Sequence, residues 1–468
     1  MKQLLLALIL LATVFHQPAI GLDGRYRICQ SSSIQFPFLP SARKGSWTSD
    51  VDFHFTCNEF ADNLVWDITT HFAGDRAVME IDEVDGFFYA GIEAKIPEKG
   101  NHRPKNYGRT GQIIRETIPA PSLTNGLLNP PTRQPVIIYL PPSYNRSKKN
   151  YPVVYFLPGF TSPIEEYITG VYQGFDWKNS MDSLIFRGKI KEMIVVLPNG
   201  GNFLGGSFYV NSPVTGNWED FIVKDVIGHI DSRYRTIPEA VSRAICGNSM
   251  GGFGALNIAM KHPDIYKLVY SLSPALFDEN GLSEHGMLSG SEKIERFLAK
   301  ERELAQLPDA QAKQQYRSFI RSLYSAHSIS EYYRAFSYAY GSAFSPNKDK
   351  KTPYIDYPFR KSGEKVILDS AILKNYEDGF GGWATKINRY RENFRKLHLM
   401  VIDYGCNDKA RWIPGGCRHV SGLLEAANIS HRVLTYQGGH NDHLRDRIEN
   451  HMLPAFSAHL HFESGTGK

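Results

Sequence analysis

Gly247-Asn248-Ser249-Met250-Gly251-Gly252 sets a hydroxyl between small residues two positions away on either side. Before it, Ser242 to Cys246 reads as a short buried strand. After it, Met250 to His262 reads as a helix that Pro263 closes. A serine on so sharp a strand-to-helix turn is forced into a strained backbone, and side chains at 247 and 251 would collide. The turn lifts the hydroxyl clear of the sheet and aims the N–H of Met250 at the same point. That arrangement suits nucleophilic attack on a carbonyl. Glycine and serine are common in ordinary turns, so the specificity comes from context. Here it comes from the flanking strand and helix and from Gly254 and Ala255, which let the two approach closely.

A serine nucleophile needs a base, and the base needs an orienting carboxylate. Two later strand-like runs supply candidates. Leu397 to Ile402 leads into Asp403-Tyr404-Gly405-Cys406-Asn407-Asp408, and Val433 to Tyr436 leads into Gln437-Gly438-Gly439-His440. His440 follows its strand through two glycines, which permit a tight loop. His443, at the start of the last helix, and His419, on the helix joining the two strands, are the rivals. For the acid, Asp408 lies in the loop beyond the strand and is favoured over Asp403, which still belongs to the strand end.

The elements that must position these residues form an α/β pattern. Val136–Leu140, Val153–Leu157, Ile194–Leu197 and Leu268–Leu272 are short continuous apolar runs ending in turn residues, as strands buried on both faces do. Helical segments separate them, so the sheet should be mostly parallel. Trp218 to Arg233 reads as an amphipathic helix. Gly205-Gly206-Ser207-Phe208-Tyr209-Val210-Asn211-Ser212 lacks the spacing and lysine of a phosphate cradle. It reads either as a wall whose aromatic side chains line a cleft or as a plain connection. Residues 277–365 interrupt the late strands with two or three charged helices, placed to lie above the site as a lid.

From about 111 to 460 the chain resembles the family of α/β-hydrolases called the Putative esterase family. It includes esterase D (S-formylglutathione hydrolase), feruloyl esterases, enterochelin esterase and the antigen 85 mycolyltransferases. The matching stretches are Tyr139-Leu140-Pro141-Pro142-Ser143-Tyr144, Asn217-Trp218-Glu219-Asp220-Phe221, Tyr234-Arg235-Thr236, Ser249 to Leu256 and Gly438-Gly439-His440. The resemblance implies an α/β-hydrolase fold, a triad of Ser249, Asp408 and His440, and oxyanion N–H groups from Phe160 and Met250. In one respect the chain departs from the family. Many members carry His-Gly before the oxyanion residue, where this chain has Pro158-Gly159.

With 468 residues and a formal net charge of +5, the chain has room for one large domain and an appendage. No Lys/Arg block argues for nucleic acid. Lys2, the apolar run Leu4 to Val14 and Ala19-Ile20-Gly21 follow the order of a secretory signal over residues 1–21, and the apolar run is short for a membrane span. Residues 22–110 contain alternating runs (Val51–Phe55, Phe87–Ile92) expected in a small β-rich module, ending in a basic linker from Pro97 to Arg109. The catalytic domain is expected over 111–462. No transmembrane segment is expected after signal removal. Five cysteines in an exported, secreted or periplasmic protein suggest a buried Cys246 thiol and the pairs Cys29–Cys57 and Cys406–Cys417. Asn145-Arg146-Ser147 and Asn428-Ile429-Ser430 are glycosylation sequons.

The function expected is ester hydrolysis by a serine esterase through an acyl-enzyme, with an ester as substrate and no metal or organic cofactor. An acyltransferase using the same triad is the alternative, and a non-catalytic binding protein on the same fold is a third reading. Glutathione-thioester hydrolysis is disfavoured for an exported chain.

Overall fold

The computed structural model describes two strands within 65–84 and the chain from 110 to 463, apart from residues 173, 363 and 364. The signal-like segment, Cys29, Cys57, the runs at 51–55 and 87–92 and the basic linker lie outside the described residues. The chain divides into compact units, 1–99 and 100–468. In the first, β1 (Val65–Ala73) and β2 (Arg76–Val84) form an antiparallel ribbon.

The second unit holds an eight-stranded sheet. Its strands are β3 (Gln112–Pro119), β4 (Arg133–Leu140), β5 (Val153–Leu157), β6 (Ile194–Pro198), β9 (Arg243–Asn248), β10 (Leu268–Leu272), β13 (Leu399–Gly405) and β14 (Arg432–Tyr436). The order across the sheet is β14-β13-β10-β9-β5-β6-β4-β3. Only β4 runs against the rest, pairing antiparallel with both β3 and β6, while every other pairing is parallel. This is the α/β-hydrolase architecture, with β9 at the centre. The edge strand β3 was not expected from the sequence, because its residues Gln112, Arg115 and Glu116 break up the apolar run.

Period-two alternation explains why both faces are covered. Ile138, Tyr155, Val196, Ile245, Val269 and Ile402 join one core, and Tyr139, Val154, Val195, Cys246, Tyr270 and Val401 join the other. The second core also takes in α1 (Trp177–Phe186), whose Asp176 cap accepts from the N–H groups of Lys178 and Asn179 at 2.8 and 3.2 Å. On the first face, Trp218–Asp220, a π-helical turn over Phe221–Val226 and Ile227–Arg233 run on as α2. Here Glu219 accepts from Lys261 at 2.6 Å and pairs with His262 at 2.9 Å, at the end of α3 (Met250–Lys261).

The departure between β10 and β13 is longer than residues 277–365. It holds α4 (Gly281–His285), α5 (Ser291–Ala305), α6 (Asp309–Ser325) and α7 (Ile329–Phe344). Outside the large sheet, β7 (Asn211–Ser212) and β8 (Gly216–Asn217) pair antiparallel before α2. In the insertion, a hairpin of β11 (Phe359–Ser362) and β12 (Lys365–Leu368) follows, then α8 (Ser370–Phe380). The last half of α7, Ala335 to Ala343, is buried throughout. This part of the insertion is therefore continuous with the core of the sheet's first face and is not a detachable flap.

The expected Cys406–Cys417 disulfide is absent: both thiols are free. Cys406 faces solvent just after β13, whereas Cys417 is buried within α9 (Trp412–Ala426), with its Sγ 4.0 Å from the Pro274 carbonyl. Closeness in sequence does not bridge two side chains that point into different environments.

Candidate active site

Ser249 occupies the turn between β9 and α3 with φ 57° and ψ −116°, a conformation that disfavours any residue with a Cβ. Such strain typically costs about 1–3 kcal/mol. Three bonds hold it: the Ser249 N–H donates to the Leu272 carbonyl at 2.9 Å, and the Ser249 carbonyl accepts from the N–H groups of Phe253 at 3.0 Å and Ala275 at 3.2 Å. The flanking glycines are required by close approach. A Cβ at Gly251 would stand 1.8 Å from the Leu157 oxygen, and one at Gly247 would stand 2.5 Å from the Gly251 backbone.

The strand ends on the C-terminal side bring the other two predicted residues together. His440 Nδ1 lies 2.6 Å from Asp408 Oδ2. Asp408 is almost fully buried, and its other oxygen accepts from the Ala410 N–H at 2.9 Å. Both loops converge because Gly405 leaves room: a Cβ there would meet the Gly438 and Gly439 oxygens at 2.4 and 2.5 Å. The Asn407 N–H donates to the Gly438 carbonyl at 2.9 Å. The His440 loop reaches the elbow through immediate neighbours, with Asn248 Nδ2 3.3 Å from Asn441 Oδ1.

The rival residues are engaged elsewhere. Asp403 points to the other face of the sheet, where its carboxylate takes bonds from Tyr270 Oη at 2.5 Å and Arg447 Nε at 2.9 Å. That follows from alternation along β13, which puts Asp403 on the side of Val401. His443 caps the final helical stretch, its ring edge-on to Tyr436 at 5.7 Å, and His419 sits within α9.

Phe160 follows β5 and is buried, with 9% of the residue exposed. Among the described residues its N–H has no acceptor, whereas the flanking Gly159 and Thr161 N–H groups bond Tyr167 Oη at 3.3 Å and the Gly205 carbonyl at 2.9 Å. Met250 opens α3, where a first-turn N–H has no intrahelical partner. Both residues meet at Gly206, where a Cβ would lie 2.5 Å from Met250 Sδ and 2.6 Å from Phe160 Cδ2.

Sequence reasoning did not find the role of the Gly-rich loop. Phe208 and Tyr209 are fully buried core residues, both with positive φ (54° and 55°). They do not line an open cleft. Phe208 is a hub, touching Phe160, Phe336, Tyr340, Phe344 and Phe380 at 5.5–5.7 Å. Full burial of a phenylalanine contributes about 1.5–3 kcal/mol, enough to offset one strained backbone position. The one sequence signal was two adjacent glycines before two adjacent aromatics.

Residues 129–287 match the family model described as "Putative esterase". That stretch contains Phe160, Ser249 and Met250 and ends before Asp408 and His440. Two esterases of Mycobacterium tuberculosis, from different strains, are each 34% identical over 132 residues, covering 27% of this chain and 26% of theirs. S-formylglutathione hydrolase of Arabidopsis thaliana is 30% identical over 146 residues, covering 29% of this chain and 50% of its own. The alignments thus span between a quarter and half the length of these curated relatives. A solved ferulic acid esterase superposes with a TM-score of 0.46 and 19% identity, over 75% of this chain and 99% of its own. Among the described residues no His/Cys/Asp/Glu group is arranged to hold a metal ion, and no helix is long and apolar enough to cross a membrane.

Proposed function

We propose that this chain is a secreted serine esterase that hydrolyses carboxylic esters through an acyl-enzyme on Ser249. The observation that carries the reading is the 2.6 Å contact of His440 Nδ1 with a buried Asp408, on a loop tied to the neighbour of the elbow serine. A carboxylate bonded at Nδ1 holds that proton, leaving Nε2 free to act as base. His440 takes the Ser249 proton as the hydroxyl attacks the ester carbonyl. The developing oxyanion is met by the N–H groups of Phe160 and Met250, each commonly worth about 3 kcal/mol at such a site. His440 then returns the proton to the leaving alcohol. Water, deprotonated by the same imidazole, releases the acid and restores the serine. Asp408 stabilises the imidazolium in both halves. Export rests on the order of residues 1–21 alone.

The experiment is a fluorophosphonate label with an ester panel running from aryl acetates through feruloyl and acetylated sugars to long acyl chains. Wild type should be labelled on the peptide containing Ser249 and should turn over at least one ester class. Ser249→Ala should stay folded, take no label and lose activity by several orders of magnitude. Labelling that persists in that variant would remove the assignment.

A further inference from the structure

Of the two oxyanion donors, Met250 is fixed by its own helix, while Phe160 belongs to a loop. What holds that loop comes largely from the insertion. The Phe160 ring is stacked on Phe208 at 5.6 Å and 17°, and is met edge-on by Phe336 at 4.9 Å and by Tyr332 at 6.0 Å. Phe336 and Tyr332 lie one turn apart on α7. The next residue, Thr161, has φ 57° and is tied by its N–H to Gly205. The Gly205 segment is tied in turn to α6, whose Tyr324 Oη donates to the Leu204 carbonyl at 2.7 Å. Two insertion helices therefore grip the loop, one by the ring and one through the Gly-rich segment.

We propose that Phe336 and Tyr332 are positioning residues of the reaction, clamping the Phe160 ring so that its N–H stays aimed at the oxyanion. This rests on the serine-esterase reading above. The insertion then completes the oxyanion hole and does more than bound the substrate. A strained Thr161 on one side and a glycine on the other leave this peptide little rigidity of its own, so release of the ring frees the amide to swing. A donor displaced by about 1 Å can lower the rate on the order of a hundredfold even when the ground state still binds.

The test compares Phe336→Leu, Tyr332→Ala and the conservative Tyr332→Phe in the full-length protein. Melting temperature checks folding, and the half-buried Tyr332 serves if the Phe336 variant does not fold. Phe336→Leu should lower kcat about a hundredfold and Tyr332→Ala about tenfold. KM should stay within about twofold of wild type, to the same degree for a small acetate and a long-chain ester. Affinity for a trifluoromethyl ketone, which forms the tetrahedral adduct, should weaken in step with kcat, and Tyr332→Phe should restore it. Folded variants with wild-type kcat on the acetate, or with losses confined to KM or to long chains, would overturn the clamp and leave a selectivity lid. An active Ser249→Ala would overturn the esterase reading and the clamp together. An inactive Ser249→Ala beside a fully active Phe336→Leu would overturn the clamp alone.

Discussion

Asn248 and Asn441 meet side chain to side chain, 3.3 Å from Nδ2 to Oδ1, and they are the immediate neighbours of Ser249 and His440. The contact pins the His440 loop, which hangs from the edge strand β14, to the rigid centre of the sheet. Asn441→Ala removes one neutral hydrogen bond, worth about 1 kcal/mol, or roughly fivefold in rate if all of it positions the base. We expect kcat to fall severalfold with little change in melting temperature. Unchanged kinetics in the alanine variant would mean that the Asp408–His440 pair orients the ring unaided.

The two aspartates of β13 and its loop should separate cleanly. Asp408→Asn places a neutral amide against Nδ1 and favours the wrong imidazole tautomer, a change that lowers kcat on the order of 10⁴-fold in serine hydrolases. Asp403→Asn instead strips a buried partner from Arg447, whose side chain is 8% exposed. Breaking such a pair typically costs about 3–5 kcal/mol of stability. The Asp403 variant should melt early and keep near wild-type kcat in its folded fraction. A reversed pattern would exchange the two roles.

Burial pushes the thiols of Cys246 and Cys417 well above their ordinary range, so both should resist alkylation in the native protein. Cys406, exposed at the mouth of the acid loop, should react readily. Peptide mapping after native alkylation gives the answer. Recovery of Cys406 joined to Cys417 would contradict the environments found for the two side chains.

Burial alone would raise the Glu219 carboxyl, but the His262 hydrogen bond and the Lys261 ammonium outweigh it and hold the group below the usual carboxylate range. A depressed folded-state pKa contributes stability above the unfolded value, about 4.3, and loses it as pH falls through the folded value. Glu219→Gln should therefore lower the melting temperature at pH 7, with the gap to wild type closing below about pH 4. Parallel melting curves across that window would show that the carboxylate charge adds nothing.

Much of the site was legible because its determinants are local. Gly247, Gly251 and the runs on either side announce a turn that only small residues can make, and β5 and β10 fall where their apolar residues put them. Asp408 was separable from Asp403 by counting past the end of a strand. What could not be read was tertiary. Cys406 and Cys417 are close in sequence but face solvent and core. The burial of Phe208 depends on Phe336 and Phe380, more than a hundred residues away. Strand β3 carries too many polar residues at an exposed edge to announce itself, and helical periodicity in α7 could not say whether its apolar stripe covers a cleft or fills a core.

The order of strands in the sheet has a consequence for biosynthesis. Leu268 of β10 pairs with Leu399 of β13, so the strand that leads into Asp408 docks only after the whole insertion has been made and a very long loop has closed. His440 arrives later still, in the loop that follows β14. A nascent chain thus carries Ser249 for a long stretch of its synthesis before Asp408 and His440 can join it. On the proposed mechanism, hydrolytic power is acquired late, once the C-terminal edge of the sheet has zipped on.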